Sequence, residues 1–338
     1  MKKLSYLVSA VAAVFAYNAH ADVSVSGSAD AGYLSDVTGD GRISIGSGVV
    51  FGLSTTTANG IGMSTGLSIT VDQDGDNAAG AGGGQSVTFT TGGATIVVGD
   101  VELGGTPGSI GGTVGNLVGD VGQFDSDVKT GFTDDDGLGV TLSTSAGAAT
   151  ISVGYIVDDN VNNSGNMTDA TDTMSAFSIS MPMGMMTVTA AVADHDNTET
   201  ASGATVSAAL GGGTLTVGYS TQTLVADAAA GTANYSLVST TGAIGSSGTA
   251  TAASDDLTTG GDSEVVGATY SMALDADTTV KIGYQSAKDA DSDSHTRMDA
   301  SISRSLGGGA SVYLDIRSLN GDADTSGTDI AVGTSVSF

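Results

Sequence analysis

Ile61-Gly-Met-Ser-Thr-Gly-Leu-Ser-Ile-Thr-Val71 sets Ile61, Met63, Leu67, Ile69 and Val71 against Gly62, Ser64, Gly66, Ser68 and Thr70. Apolar and small polar residues alternate at period two, the signature of a β-strand with two unlike faces. The pattern recurs upstream, where Ile43, Ile45, Val49, Phe51 and Leu53 alternate with Ser44, Gly46, Gly48 and Gly52. It opens at Val23-x-Val25 and returns at Ile151, Val153, Tyr155 and Val157. Small polar partners suit a wall with lipid on one side and a wet interior on the other.

Extended along the chain, the alternation predicts sixteen strands. They fall at 23–34, 41–55, 61–72, 85–90, 94–102, 137–145, 148–157, 174–181, 185–193, 204–210, 214–222, 263–273, 278–287, 296–305, 310–319 and 328–338. The connections alternate in length. Short ones fall at 56–60, 91–93, 146–147, 182–184, 211–213, 274–277 and 306–309. Long ones fall at 35–40, 73–84, 103–136, 158–173, 194–203, 223–262, 288–295 and 320–327. Short turns at one end and long loops at the other predict an all-β fold, a sixteen-stranded antiparallel transmembrane β-barrel with short periplasmic turns and long outer loops.

Composition agrees. The chain has 338 residues, with 52 Gly, 2 Pro, no Cys and no Trp, and charged residues make up 14%, below the roughly 25% of an ordinary soluble domain. A net charge of −28 with nine Lys and Arg excludes a nucleic-acid binder, because phosphates require cations. Without cysteine there is no disulfide, thiolate metal site or thiol nucleophile. His20, His195 and His295 are not spaced as a metal pair, and no Gly-x-Ser-x-Gly elbow precedes a helix. The expectation is therefore a protein that is not an enzyme.

Met1-Lys2-Lys3 followed by the apolar run Leu4 to Ala16 and by Ala19-His20-Ala21 reads as a cleaved signal peptide over 1–21. Its removal leaves a barrel domain over 22–338 and, by taking away Lys2 and Lys3, a net charge of −30. No later segment has the ~18 apolar residues of a membrane helix. An exported chain of this pattern is expected in the outer membrane, where only closed strands can span. Val153-Gly154-Tyr155, Val217-Gly218-Tyr219 and Ile282-Gly283-Tyr284 each put a Tyr late in an outward-running strand, the place of an interfacial aromatic girdle. Ser335-Val336-Ser337-Phe338 resembles the usual end of an outer-membrane barrel.

Beyond pattern, specific stretches carry a resemblance. Asp22-Val-Ser-Val-Ser-Gly27, Ile43-Ser-Ile-Gly-Ser-Gly-Val-Val-Phe51 and Gly66-Leu-Ser-Ile-Thr-Val-Asp72 resemble the alphaproteobacterial general-diffusion porins of the Rhodobacter type. The resemblance is clearest at Gly83-Gly-Gln-Ser-Val-Thr-Phe-Thr-Thr-Gly-Gly-Ala-Thr-Ile-Val-Val-Gly-Asp100 and includes the last strand; the middle of the chain matches in pattern only. It implies a usually trimeric barrel that passes small hydrophilic solutes and ions, binds calcium at loop acids and folds its third loop into the lumen. The chain departs from the family at Gly48 and Val50, where relatives carry arginines, leaving only Arg42 on that strand; 223–262 is also unusually long.

In that reading the third loop, 103–136, is the pore constriction, and its acids Glu102, Asp120, Asp125 and Asp127 are the candidate functional residues. The opposite wall would carry Arg42, Lys281, Arg297 and Arg317. Lys281, Arg297 and Arg317 alternate with apolar neighbours. They are expected to face water, since a lipid-facing cation at the midplane costs about 2–4 kcal/mol. Acids facing bases would set up a transverse field. Asp72-Gln-Asp74-Gly-Asp76 has oxygen ligands at alternate positions, so calcium is the candidate ion at Asp72, Asp74 and Asp76. The twelfth position from Asp72 is Gly83, so this is not an EF-hand, and no cofactor is required. Expected partners are small hydrophilic solutes and ions, outer-membrane lipid and lipopolysaccharide, and two further copies in a homotrimer. The large negative charge favours cations over anions. The competing reading is a secreted, calcium-dependent structural or surface-layer β protein.

Overall fold

The computed structural model describes residues 22–35, 41–72, 80–81, 86–103, 136–158, 173–195, 199–224, 262–288, 294–320 and 326–338. The strands in chain order are β1 (Asp22–Ser35), β2 (Gly41–Thr56), β3 (Gly62–Asp72), β4 (Gly80–Ala81), β5 (Ser86–Thr91), β6 (Ala94–Glu102), β7 (Asp136–Ala146), β8 (Ala149–Asp158) and β9 (Met174–Met183). They continue as β10 (Met186–His195), β11 (Glu199–Leu210), β12 (Gly213–Leu224), β13 (Asp262–Ala273), β14 (Thr278–Lys288), β15 (Ser294–Gly307), β16 (Ala310–Asn320) and β17 (Gly327–Ser337).

Every pairing is antiparallel and runs to the next strand in sequence, with two exceptions: β3 pairs with β5 as well as with β4, and β1 pairs with β2 on one side and with β17 on the other. That last ladder joins Ser28–Ser35 to Ile330–Ser337 and closes the sheet. Backbone bonds of 3.0 Å in both directions between Gly27 and Phe338 extend it. Closure leaves no barrel strand at a free edge among the described residues, the condition for crossing lipid with strands.

Two-residue β4 and six-residue β5 both pair with β3 and are pieces of one barrel strand, which makes sixteen in all. Ile69 faces Ala81 and Ser64 faces Thr88, so five steps along β3 answer seven along its partner. β4 itself lies in the segment read from sequence as a connection over 73–84. A second difference lies at β11, which begins at Glu199 and not at 204. Ala201, Ser202 and Gly203 lack the large apolar residues that mark a strand, yet they pair in register with Ala193, Val192 and Ala191. The expected long connection 194–203 shrinks to 196–198. The other strands agree with the sequence reading to within two residues at each end.

The short turns cluster at one end of the barrel. Between β9 and β10 only Gly184 and Met185 make the reversal, and Gly184 takes φ +68°, a left-handed conformation that is cheap only without a Cβ. The turn before β14 works by a side chain instead. Asp275 Oδ1 accepts hydrogen bonds from the amides of Asp277 (2.9 Å) and Thr278 (2.8 Å).

Candidate functional site

The two faces of each strand are told apart by exposure. Along β16, Leu314 and Ile316 are 41% and 42% exposed, whereas Asp315 and Arg317 between and beside them are 0%. A convex outer surface cannot bury alternate residues, so the buried polar set faces inward and the apolar set faces lipid. Outward are Val153, Tyr155, Phe177, Val217, Tyr219, Ile282, Tyr284, Met298, Ile330 and Val332, all exposed. Tyr155, Tyr219 and Tyr284 thus sit on the apolar face near the long-connection end, as a girdle requires.

The inner face is divided. On β6 and on β8 to β11 it carries Val101, Ile156, Met174, Ala176, Ala191, Ala193 and Ala201, all buried and, with Leu103 just past β6, one apolar cluster. On β14 to β17 it is ionic. One transverse row runs Gly283, Asp299, Arg317, Asp329, and the next row down runs Lys281, Ser301, Asp315, Ala331. Arg297 lies one row up from Asp299, opposite Gln285 and Leu319. Pairing in register brings these side chains within reach, because directly opposed residues stand about 4.5–5.5 Å apart.

The arginines are held. Arg297 Nε donates to Asp299 Oδ2 at 2.6 Å, and Arg317 Nε donates to Asp329 Oδ2 at 2.7 Å. A second guanidinium nitrogen of Arg317 also contacts Asp329 Oδ2. All four side chains are at most 3% exposed. Removing two charges from water is costly, and the attraction between them offsets that only when the geometry is good and further hydrogen bonds form. Asp299 Oδ1, Asp329 Oδ1, Gln285 Oε1 and the Tyr313 hydroxyl have no such bond among the described residues. They are buried polar atoms on the inner face whose remaining hydrogen-bonding capacity is left to water. Tyr313 reaches across β17 because its row partner is Gly333: a Cβ there would lie 2.4 Å from the Tyr313 oxygen and 2.6 Å from the Ala31 carbonyl.

Of the residues singled out by sequence, Arg297 and Arg317 lie on this wall, both linked to the row of Asp299. Lys281 is on the inner face in the next row down, two residues from Gly283 along β14 and about 7 Å away. Arg42 lies at the outer end of β2, its Cα opposite Leu34. Glu102 ends β6 with its Cα opposite Asp136. Asp72 ends β3 opposite Gly46. Asp120, Asp125, Asp127, Asp74 and Asp76 lie outside the described residues, as do the third loop 104–135 and residues 1–21. Among the described residues no group of three or more His, Asp or Glu is placed to hold a metal ion.

Sequence reasoning missed Asp299, Asp315, Asp329 and, on β1, Asp30, whose Cα faces Ser335. With them the wall holds four carboxylates beside Lys281, Arg297 and Arg317. The signal was present: Asp299 stands two residues after Arg297 and Asp315 two before Arg317, and a separation of two on a strand means a shared face. At the short-turn end, Asp275 pairs with Arg304 at 3.3 Å, both half exposed. The Asp277 amide, the Thr278 hydroxyl and amide and the Arg304 charge hold the Asp275 carboxyl below its usual range.

Residues 8–324 match the family described as Gram-negative porin. No curated protein matches the chain by sequence. Among solved structures, a porin refined at 1.8 Å resolution is similar at 21% identity and TM-score 0.65, with 94% of this chain and 100% of that one covered. A loop L8 deletion of OmpT, an outer membrane protein of Vibrio cholerae, has TM-score 0.67 at 12% identity and covers 94% and 99%. An anion-selective porin from Comamonas acidovorans has TM-score 0.64 at 12% identity and covers 94% and 100%. At these identities the likeness establishes the closed sixteen-stranded barrel and nothing finer.

Proposed function

We propose, on the premise that the chain belongs to the Gram-negative porin family and is an outer-membrane channel, not an enzyme, that it passes small hydrophilic solutes and ions by passive diffusion with a modest preference for cations. Family membership displaces the surface-layer alternative. The observation that carries the preference is the inner wall of β14 to β17 with Asp30. Its two arginines are each bound to a carboxylate, and the described residues of that inner face hold four acids against three bases. A neutralised arginine offers a permeating anion little, whereas the surplus carboxylate raises the local concentration of cations. The anion selectivity named for the Comamonas acidovorans porin does not carry over at 12% identity.

The same reading assigns the constriction to Glu102, Asp120, Asp125 and Asp127 on an inward third loop, and calcium to Asp72, Asp74 and Asp76. It includes export by the signal peptide 1–21, a barrel domain over 22–338, a homotrimer, and acidic outer loops bridged by divalent cations to lipopolysaccharide. The test is the reversal potential of a reconstituted channel in a salt gradient. It is expected to report cation preference that fades as salt shortens the ~10 Å screening length at 0.1 M. Neutralising Asp120, Asp125 and Asp127 together should shift it toward anions. An unchanged potential at low salt would remove the loop from selectivity while leaving the channel intact.

A further inference from the structure

We propose that the β9–β10 hairpin at the short-turn end is a binding site for a soft monovalent cation, Cu(I) or Ag(I), held by methionine thioethers. The sequence there is Met181-Pro-Met183-Gly-Met185-Met186, four of the ten methionines of the chain within six residues. Met183 and Met186 are Cα partners across the two-residue turn, and Met181, opposite Val188, stands two positions from Met183 on the same face. Directly opposed Cβ atoms lie about 4.5–5.5 Å apart. The methionine side chain has three rotatable bonds, which gives three sulfurs the reach to meet at one point without moving the backbone. Met185 at the tip supplies a fourth.

These thioethers share the outward face of Phe177 at the short-turn rim of the barrel, where Met181, Met183 and Met186 are 42%, 51% and 45% exposed and Met185 at the tip is 80%. Their surroundings leave room. The β8–β9 ladder ends at Thr150 and Ser180, so the methionines of β9 run past the last rung of β8. On the other side Met186 faces only Ala208. Ordinary interfacial apolarity does not require this composition. Three other short turns carry a single exposed leucine each, Leu210, Leu274 and Leu306.

The chemistry selects the ligand. Thioethers are neutral, soft donors that favour Cu(I) over the hard cations bound by carboxylate and carbonyl oxygens. Residues 178–190 contain no acid, base or histidine, and the chain contains no cysteine to compete. Calcium, magnesium and zinc therefore have no reason to settle there. The net charge of −28 concentrates any cation near the surface.

The experiment titrates Ag(I) into the full chain in detergent micelles. Calorimetry is combined with resonances from methyl-labelled methionine, in nitrate buffer with excess calcium. The expected result is one Ag(I) per chain, with shifts confined to Met181, Met183, Met185 and Met186. M183L/M186L should weaken binding by at least about tenfold, a change of ~1.4 kcal/mol. M298L should leave it unchanged, since Met298 is exposed but solitary. The β-sheet circular dichroism of each variant verifies the barrel. Absence of binding, equal shifts at Met298, or full affinity in M183L/M186L would each overturn the site.

Discussion

Arg317 is fully buried against Asp329, with Asp299 beside it in the same row. Truncating it leaves carboxylates packed together without their counter-ion. R317Q is therefore expected to lower unfolding stability by about 3–5 kcal/mol, read from the denaturant midpoint in detergent. R317M/D329L removes both charges and should recover most of the loss, because an apolar pair of similar volume avoids the desolvation cost. If the two variants are equally unstable, the ion pair is not the cause. The electrical counterpart is that R317Q adds one uncompensated negative charge to the lumen. Its reversal potential should move further toward cations.

The β13–β14 turn ties a hairpin to one carboxylate. Asp275 accepts from the Asp277 and Thr278 amides, and those bonds with Arg304 nearby depress its pKa below the ordinary 3.8. A depressed folded-state pKa means that the stabilisation is complete above the unfolded value and is lost as pH falls through the folded one. Amide exchange at Asp277 and Thr278 should thus be slow at neutral pH and gain extra acceleration only below about pH 4. In D275N that acid-dependent component should be absent. Most strands were legible because period two survives along them, which is not so of two-residue β4. The start of β11 was not, since Thr200-Ala-Ser-Gly-Ala204 has no large apolar residue and is made a strand by its ladder to β10. Nor were the partners of the arginines. Asp299, Asp315 and Asp329 look in sequence like the many loop acids, and only register shows which face and row they share.

Over the whole barrel, the ladder between β1 and β17 is what distinguishes a closed wall from a curled sheet. The chain has no cysteine, so a single engineered pair reports one contact without background. A29C/V336C, which are Cα partners, should oxidise to a disulfide, because opposed Cα atoms at about 4.5–5.5 Å fall inside the allowed span. V336C combined with I179C, on a strand eight ladders away, should not. Electrophoretic mobility before and after reduction distinguishes them. A crosslink at both pairs, or at neither, would contradict the closure drawn from the register.

That seam also sets a clock. Its contacts join residues some 300 positions apart, so they form last and pay the largest loop-closure entropy of any ladder in the molecule. Until then β1 and β17 each present a row of unpaired amides, and an unfinished sheet with two such edges adheres to its own kind. The interval between export and closure is consequently the vulnerable part of this protein's life. Crowding or slow insertion at that stage diverts chains to aggregates whose finished form would have been inert.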